Sequence, residues 1–201
     1  ILHMAEAGHT GAVARHFHDA ANAADRAAEL IAVAIADAAE LIVGALMANH
    51  RLFACGNGGS ASDAEHLVSE LVGRLEQERP GLPAVALSAN SSVLTALAND
   101  YGFDDVFARQ IRAFGSAGDV LIVFSASGNS TNVVQAVAAA HERELQVIAF
   151  TGESGGRIGE QLASSDRLIA VPATRIMRVQ ELHRIGIHAM CDVIDRVLLG
   201  G

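Results

Sequence analysis

The sequence has no tryptophan, one tyrosine and seven phenylalanines among 201 residues, so aromatic side chains make up only 4% of it. A core must then be filled by small and branched aliphatic side chains, which the 51% apolar content supplies. Cysteine is scarce too. Cys55 and Cys191 stand alone, with neither a CxxC pair nor a secretory signal, so no disulfide framework is expected and a reduced, cytoplasmic setting is. No uninterrupted apolar run approaches the roughly 20 residues that span a bilayer, so no membrane association is expected. Positive charge is the minority sign: 14 Lys and Arg against 23 Asp and Glu give a net charge of -9. Phosphate backbones attract the opposite kind of surface, so nucleic acid is not an expected partner. The length fits one domain, expected over 1–201, and Ile1 to His3, ahead of Met4, read as an appended remnant.

Glycine, by contrast, is plentiful at 19 residues, and its placing is regular. It gathers at Gly56 to Gly59, at Gly128, at Gly152 to Gly156 and at Gly186, mostly where short apolar runs give way to polar segments. The segment 1–50 is Ala-, Leu-, Ile- and Val-rich, with apolar residues at helical intervals. It predicts two helices broken near 22–25, too apolar for plain solvent exposure, that cover a sheet and pack against another chain. From residue 51 onward the pattern changes. Apolar runs at 52–55, 84–87, 120–124, 147–151 and 168–171 each precede a Gly or Ser turn and a helix-type stretch. Continuous apolar runs read as strands buried on both faces, and the βαβα order predicts an α/β fold with a doubly wound parallel sheet flanked by helices.

Open parallel sheets bind ligands beyond the carboxyl ends of their strands, which directs attention to two loops. Cys55-Gly56-Asn57-Gly58-Gly59-Ser60 follows the first run, and Ser125-Ala126-Ser127-Gly128-Asn129-Ser130 follows the third. Both lead into helices, where free amides and the positive dipole end suit an anion and glycine permits close approach. Three serines around one turn, without lysine or a Walker pattern, suit a terminal phosphate monoester. Such a loop can also be a plain tight turn with Ser130 as helix cap, but two on neighbouring strands weigh against that.

His66 and Glu70, four apart, share one helical face and suit either a divalent metal, proton transfer or a simple surface ion pair. Gln180, Glu181, His183 and His188 lie on the last helix. Gln180 and His188 are separated by about 12 Å of rise and roughly 80° of azimuth, so one small ion meets both only at full stretch.

Taken together, Gly56-Asn57-Gly58-Gly59-Ser60, the His66 and Glu70 pair, Arg79-Pro80-Gly81-Leu82-Pro83, Asn99-Asp100-Tyr101-Gly102-Phe103, Gly118-Asp119-Val120-Leu121-Ile122, Ser127-Gly128-Asn129-Ser130, Thr151-Gly152 with Gly155-Gly156, and Val179-Gln180-Glu181-Leu182-His183 resemble the phosphoheptose isomerases of the sugar isomerase (SIS) domain family. The likeness runs in order from about Ala28 to the end of the chain. It implies a five-stranded parallel sheet, a homotetramer with sites between subunits, and conversion of sedoheptulose 7-phosphate to the aldoheptose 7-phosphate for bacterial glycoconjugates such as lipopolysaccharide or capsule. It also implies one zinc ion per subunit at His66, Glu70, Gln180 and His188, with Glu70 and His188 as acid and base. Substrate contacts carry over onto Asn57, Gly58, Ser60, Arg74, Asn90, Ser125, Ser127, Gly128, Ser130 and Gln180. Three positions depart from the family pattern: Ala126 in place of a threonine, Asn90 in place of an aspartate, and Met177 at a polar or small position.

Moving a carbonyl between C2 and C1 requires a base that takes the C1 proton and returns it to C2, and a second group for the oxygen proton. The rival class within this fold is a non-catalytic regulator, such as a protein that associates with the bacterial replication initiator. Such relatives lack the carboxylate and the final histidine, so Glu70 and His188 together favour the enzyme. A SIS protein for amino-sugar phosphates fits the 179–188 pattern less well.

Overall fold

The computed structural model describes residues 2–200, and side chains from residue 8 onward. Ile1 of the expected remnant lies outside the described residues. Thirteen elements follow in order: α1 (Leu2–Met47), β1 (Leu52–Gly56), α2 (Gly59–Val72), β2 (Ala84–Ala86), α3 (Ser91–Tyr101), a 3-10 turn (Phe103–Asp105), α4 (Ala108–Phe114), β3 (Val120–Ser125), α5 (Thr131–Glu142), β4 (Gln146–Thr151), α6 (Gly156–Gln161), β5 (Arg167–Ala170) and α7 (Ile176–Leu199).

The sequence pattern predicts two N-terminal helices, whereas α1 is a single helix of 46 residues with no break near 22–25. Neither glycine nor proline stands there, and Ala23 begins a buried row that continues through Ala27, Ile31, Ile35, Ala38 and Ile42. Burying that row along α7 outweighs the modest helix penalties of Asn22 and Asp25, a few tenths of a kcal/mol to about 0.7 each. The segment Gly8–Met47 is long and apolar enough to cross a membrane by length and composition, and 39% of its most apolar stretch is buried within the fold. Its apolar side chains divide between this buried row and an exposed set that includes Leu30, Val33 and Met47.

All five strands are parallel, in the order β2-β1-β3-β4-β5. The chain leaves β1 for β2 on one side and returns past β1 to β3 on the other, so the topological switch lies between β1 and β3. Successive strand residues face opposite layers. Ala54, Ile122, Phe124, Ile148 and Phe150 pack towards α1, α2 and α7, while Phe53, Leu121, Val123, Val147 and Ala149 pack towards α4, α5 and the flank of α3. Two-sided burial holds for β1, β3 and β4. At the edges it does not: Val85 of β2 is 46% exposed and Leu168 of β5 is 38% exposed. Each edge strand has only one neighbour, and short helices leave part of its surface uncovered.

Candidate active site

The two loops flanking the switch point lie side by side. Gly56 is obligatory because a Cβ there would fall 2.6 Å from the Ser60 carbonyl oxygen and 2.8 Å from that of Phe124. Asn57 and Asn132 exchange amide hydrogen bonds of 2.8 and 2.9 Å, tying the β1 loop to the first turn of α5. Ser60 is buried at the start of α2. Ser130 occupies the cap position of α5 yet makes no side-chain capping bond; its Oγ lies 3.4 Å from that of buried Ser125. Val133 N and Val134 N both donate to the Ser130 carbonyl at 3.0 Å, which leaves the Thr131 and Asn132 amides of the first turn for a ligand. Ser127 Oγ accepts from Asn129 N, and the loop is braced from below by the β4–α6 turn. There Asn129 Oδ1 accepts from Arg157 N at 3.0 Å, and Gly128 (φ +67) rests directly on the Gly155 carbonyl with no room for a side chain. An open cleft of about 370 Å³ beside Ser127 is lined further by Gly152, Glu153, Ser154 and Thr174.

The second group is built by α2 and α7, which run alongside each other in register. Gly59 faces Gln180 so closely that a Cβ would collide with its amide. One turn on, Asp63 accepts from Arg184 at 2.8 Å, and next His66 Nε2 meets His188 Nε2 at 2.8 Å with Glu70 Oε1 3.6 Å away. One donor atom from each of His66, Glu70 and His188 lies within 4.8 Å of the others. Beyond them opens a cleft of about 470 Å³ lined by Glu70, Leu75, Glu76, His188, Ala189 and Asp192. Two nitrogens and a carboxylate oxygen suit zinc with a position left open. Burial first, then the neighbouring Arg184 and His188, hold the His66 pKa below its usual value, while Glu70 acts in the opposite sense. A neutral imidazole is the form that ligates metal. Burial raises the Asp63 carboxyl against the pull of Arg184, and its Oδ2 has no partner.

Gln180 is not beside these three: it stands at the loop end of α7, about 12 Å of helix from His188. Arg74 lies past the end of α2, exposed, pairing with Glu78 at 3.5 Å. Asn90 caps α3 through Val93 N at 3.1 Å. His183 belongs to the core, its Nε2–H donating to the Thr151 carbonyl at 3.2 Å between Phe124 and Phe150, with burial pushing its pKa down to about 4. Asn132, the Asp63 and Arg184 pair, and the bond between Asn129 and Arg157 carry the architecture of the site without any local motif that singles them out.

A SIS domain model matches residues 15–152. Phosphoheptose isomerase of Methylibium petroleiphilum is 50% identical over 188 residues, 94% of each chain. That of Thiobacillus denitrificans is 52% identical over 185 residues, 92% of this chain and 94% of the relative. Among solved structures, phosphoheptose isomerase from Neisseria gonorrhoeae superposes with a TM-score of 0.88 at 49% identity, over 92% of this chain and 98% of the other. The Francisella tularensis enzyme gives 0.90 at 38% identity, over 93% and 98%. With its glycine and serine loops, its His66, Glu70 and His188 group and its 2-1-3-4-5 sheet all in place, the chain belongs to the phosphoheptose isomerases of the SIS domain family.

Proposed function

We propose that this chain is an aldose-ketose isomerase that converts sedoheptulose 7-phosphate to D-glycero-D-manno-heptose 7-phosphate through an enediol, in the cytoplasm, for lipopolysaccharide, capsule or another heptose-containing glycoconjugate. The observation that carries this reading is the convergence of Glu70 with His66 and His188 from two separate helices. Glu70 takes the C1 proton and returns it to C2, and His188 serves the oxygen. Ser125, Ser127, Ser130 and the first two amides of α5 hold the phosphate, with Gly128, its own amide spent on the Ser125 carbonyl, shaping the turn that lets it approach, while Asn57, Gly58, Ser60 and Gln180 face the sugar. Anchoring the phosphate fixes the position of the reacting end of a flexible chain.

His66, Glu70 and His188 fit a zinc ion, one per subunit, which when bound stabilises negative charge on the enediolate oxygens. As a fourth ligand Gln180 would have to come from another protomer, given its place against Gly59. The serine-loop cleft and the Glu70 cleft share no lining residue, which favours a homotetramer whose sites combine surfaces of different subunits. The segment 1–50 serves that assembly, and 51–201 forms the sugar-phosphate core.

Glu70→Gln keeps the side-chain shape and removes the base. It is expected to abolish exchange of the substrate C1 proton with solvent deuterium while sugar-phosphate binding survives, and a chelator is expected to slow the wild type. Near-normal turnover by Glu70→Gln would overturn the mechanism, and absence of turnover in the wild type would favour a regulator of the same fold.

A further inference from the structure

Arg79 opens the Arg-Pro-Gly-Leu-Pro segment, and its side chain is 2% exposed. Its Nε donates to Asp195 Oδ1 of α7 at 2.6 Å. Nη1 donates to the Leu71 carbonyl at 2.9 Å and reaches those of Gly73 and Pro80 at 3.3 Å, and Nη2 donates to the Glu70 carbonyl at 2.8 Å. Glu70 and Leu71 lie in the last turn of α2, where carbonyls lack intrahelical partners and carry the negative end of the dipole. One guanidinium thus closes the helix end that bears Glu70 and ties it to α7, seven residues and about two turns beyond His188. The rest of the motif makes this possible. Gly81 lies against the end of α2, where a Cβ would fall 2.6 Å from the Val72 carbonyl oxygen, and Leu82 N donates to Leu71 O at 2.9 Å.

A buried ion pair is weak support for stability, since apolar replacements of similar volume serve as well or better. What an apolar pair would not provide is a directional grip on the Glu70 and Leu71 carbonyls. Lysine would not provide it either, because an ammonium lacks the planar fork that reaches Asp195 and these carbonyls at once. We infer that Arg79 and Asp195 are positioning residues for the isomerisation, holding the Glu70 turn of α2 in register with His188 of α7. The inference rests on the roles given above to Glu70 and His188.

The test compares wild type with Arg79→Lys, Asp195→Asn and the double replacement Arg79→Met with Asp195→Leu, each checked for folding by circular dichroism. Turnover of sedoheptulose 7-phosphate is expected to fall by about tenfold to a hundredfold, the range a displacement of about 1 Å produces. The Michaelis constant is expected to stay within about threefold, because the serine loop is untouched. Zinc affinity, measured against a chromophoric chelator without substrate, is expected to fall by about tenfold. Crystal structures of the variants are expected to show His66, Glu70 and His188 displaced relative to one another by about 1 Å. A folded Met and Leu variant with wild-type turnover, wild-type zinc affinity and superposing side chains overturns the proposal, even if its melting temperature drops. Should that variant not fold, the isosteric Asp195→Asn change carries the same three measurements. Wild-type protein without sedoheptulose 7-phosphate turnover would refute the isomerase reading instead, and the relative placement of the three side chains in the variants would still decide for or against the clip.

Discussion

Asn57 and Asn132, 75 residues apart, face each other with both amides satisfied, each side chain donating to the other's oxygen. The pair spans the switch point between β1 and β3 and sets the spacing of the two ligand loops. Removing either partner leaves the other amide with an unmade bond, so the first deletion carries nearly the whole effect. Asn57→Ala and Asn132→Ala are each expected to lower kcat/KM by about tenfold, and the double variant by little more than either. Additive losses in the double-mutant cycle would mean that the two residues act on substrate independently.

Ser127 and Ser130 present hydroxyls at an uncapped helix start, and the loop contains no lysine. Replacing both with alanine removes the proposed phosphate donors without touching Glu70 or His188. The Michaelis constant is expected to rise by about tenfold or more while saturated turnover changes by less than about threefold. An unchanged Michaelis constant would place the phosphate elsewhere.

The parts of this molecule legible in the sequence were those with local signatures. The five apolar runs mark the strands, and Gly56, Gly128 and Gly156 stand where backbone passes against backbone. His66 and Glu70 announce themselves by i and i+4 spacing. The continuity of α1 was not legible, because Asn22 to Asp25 read as a polar break until Ala23 is seen buried on a tertiary surface. Nor was the Asn57 and Asn132 bridge, since a contact between two loops leaves no periodic trace in either one. Likewise Arg79 reads as part of a turn, and only its partners on α2 and α7 show that its charge is used.

An alanine-lined groove of about 330 Å³ runs between α1 and α7, bordered by Ile31, Ile35, Leu182 and Ile185. Ile185 is 52% exposed beside it, and Leu30 and Val33 of α1 are 70% and 75% exposed. Helices that expose this much apolar surface are expected to bury it against copies of themselves. Sedimentation is expected to give a tetramer, and Ala32→Glu with Ile185→Glu to shift it towards smaller species and reduce activity. A wild-type monomer at micromolar concentration would remove any site shared between subunits.

His183 offers a pH dependence whose sign follows from its surroundings. Its Nε2–H is used on the Thr151 carbonyl, and Nδ1 is buried without a partner, so a second proton would sit unsolvated in the core. Burial accordingly pushes the folded-state pKa to about 4 from 6.5. Between those values the unfolded chain binds the proton and the folded chain does not. Stability is therefore complete above pH 6.5, is lost as pH falls towards 4, and levels off below it with respect to this group. The loss amounts to about 1.4 kcal/mol per pH unit at most, or on the order of 3 kcal/mol in all. Urea unfolding at fixed protein concentration is expected to show this decline in wild type and a shallower one in His183→Met, which cannot titrate. Parallel pH profiles for the two proteins would assign the acid sensitivity to other groups.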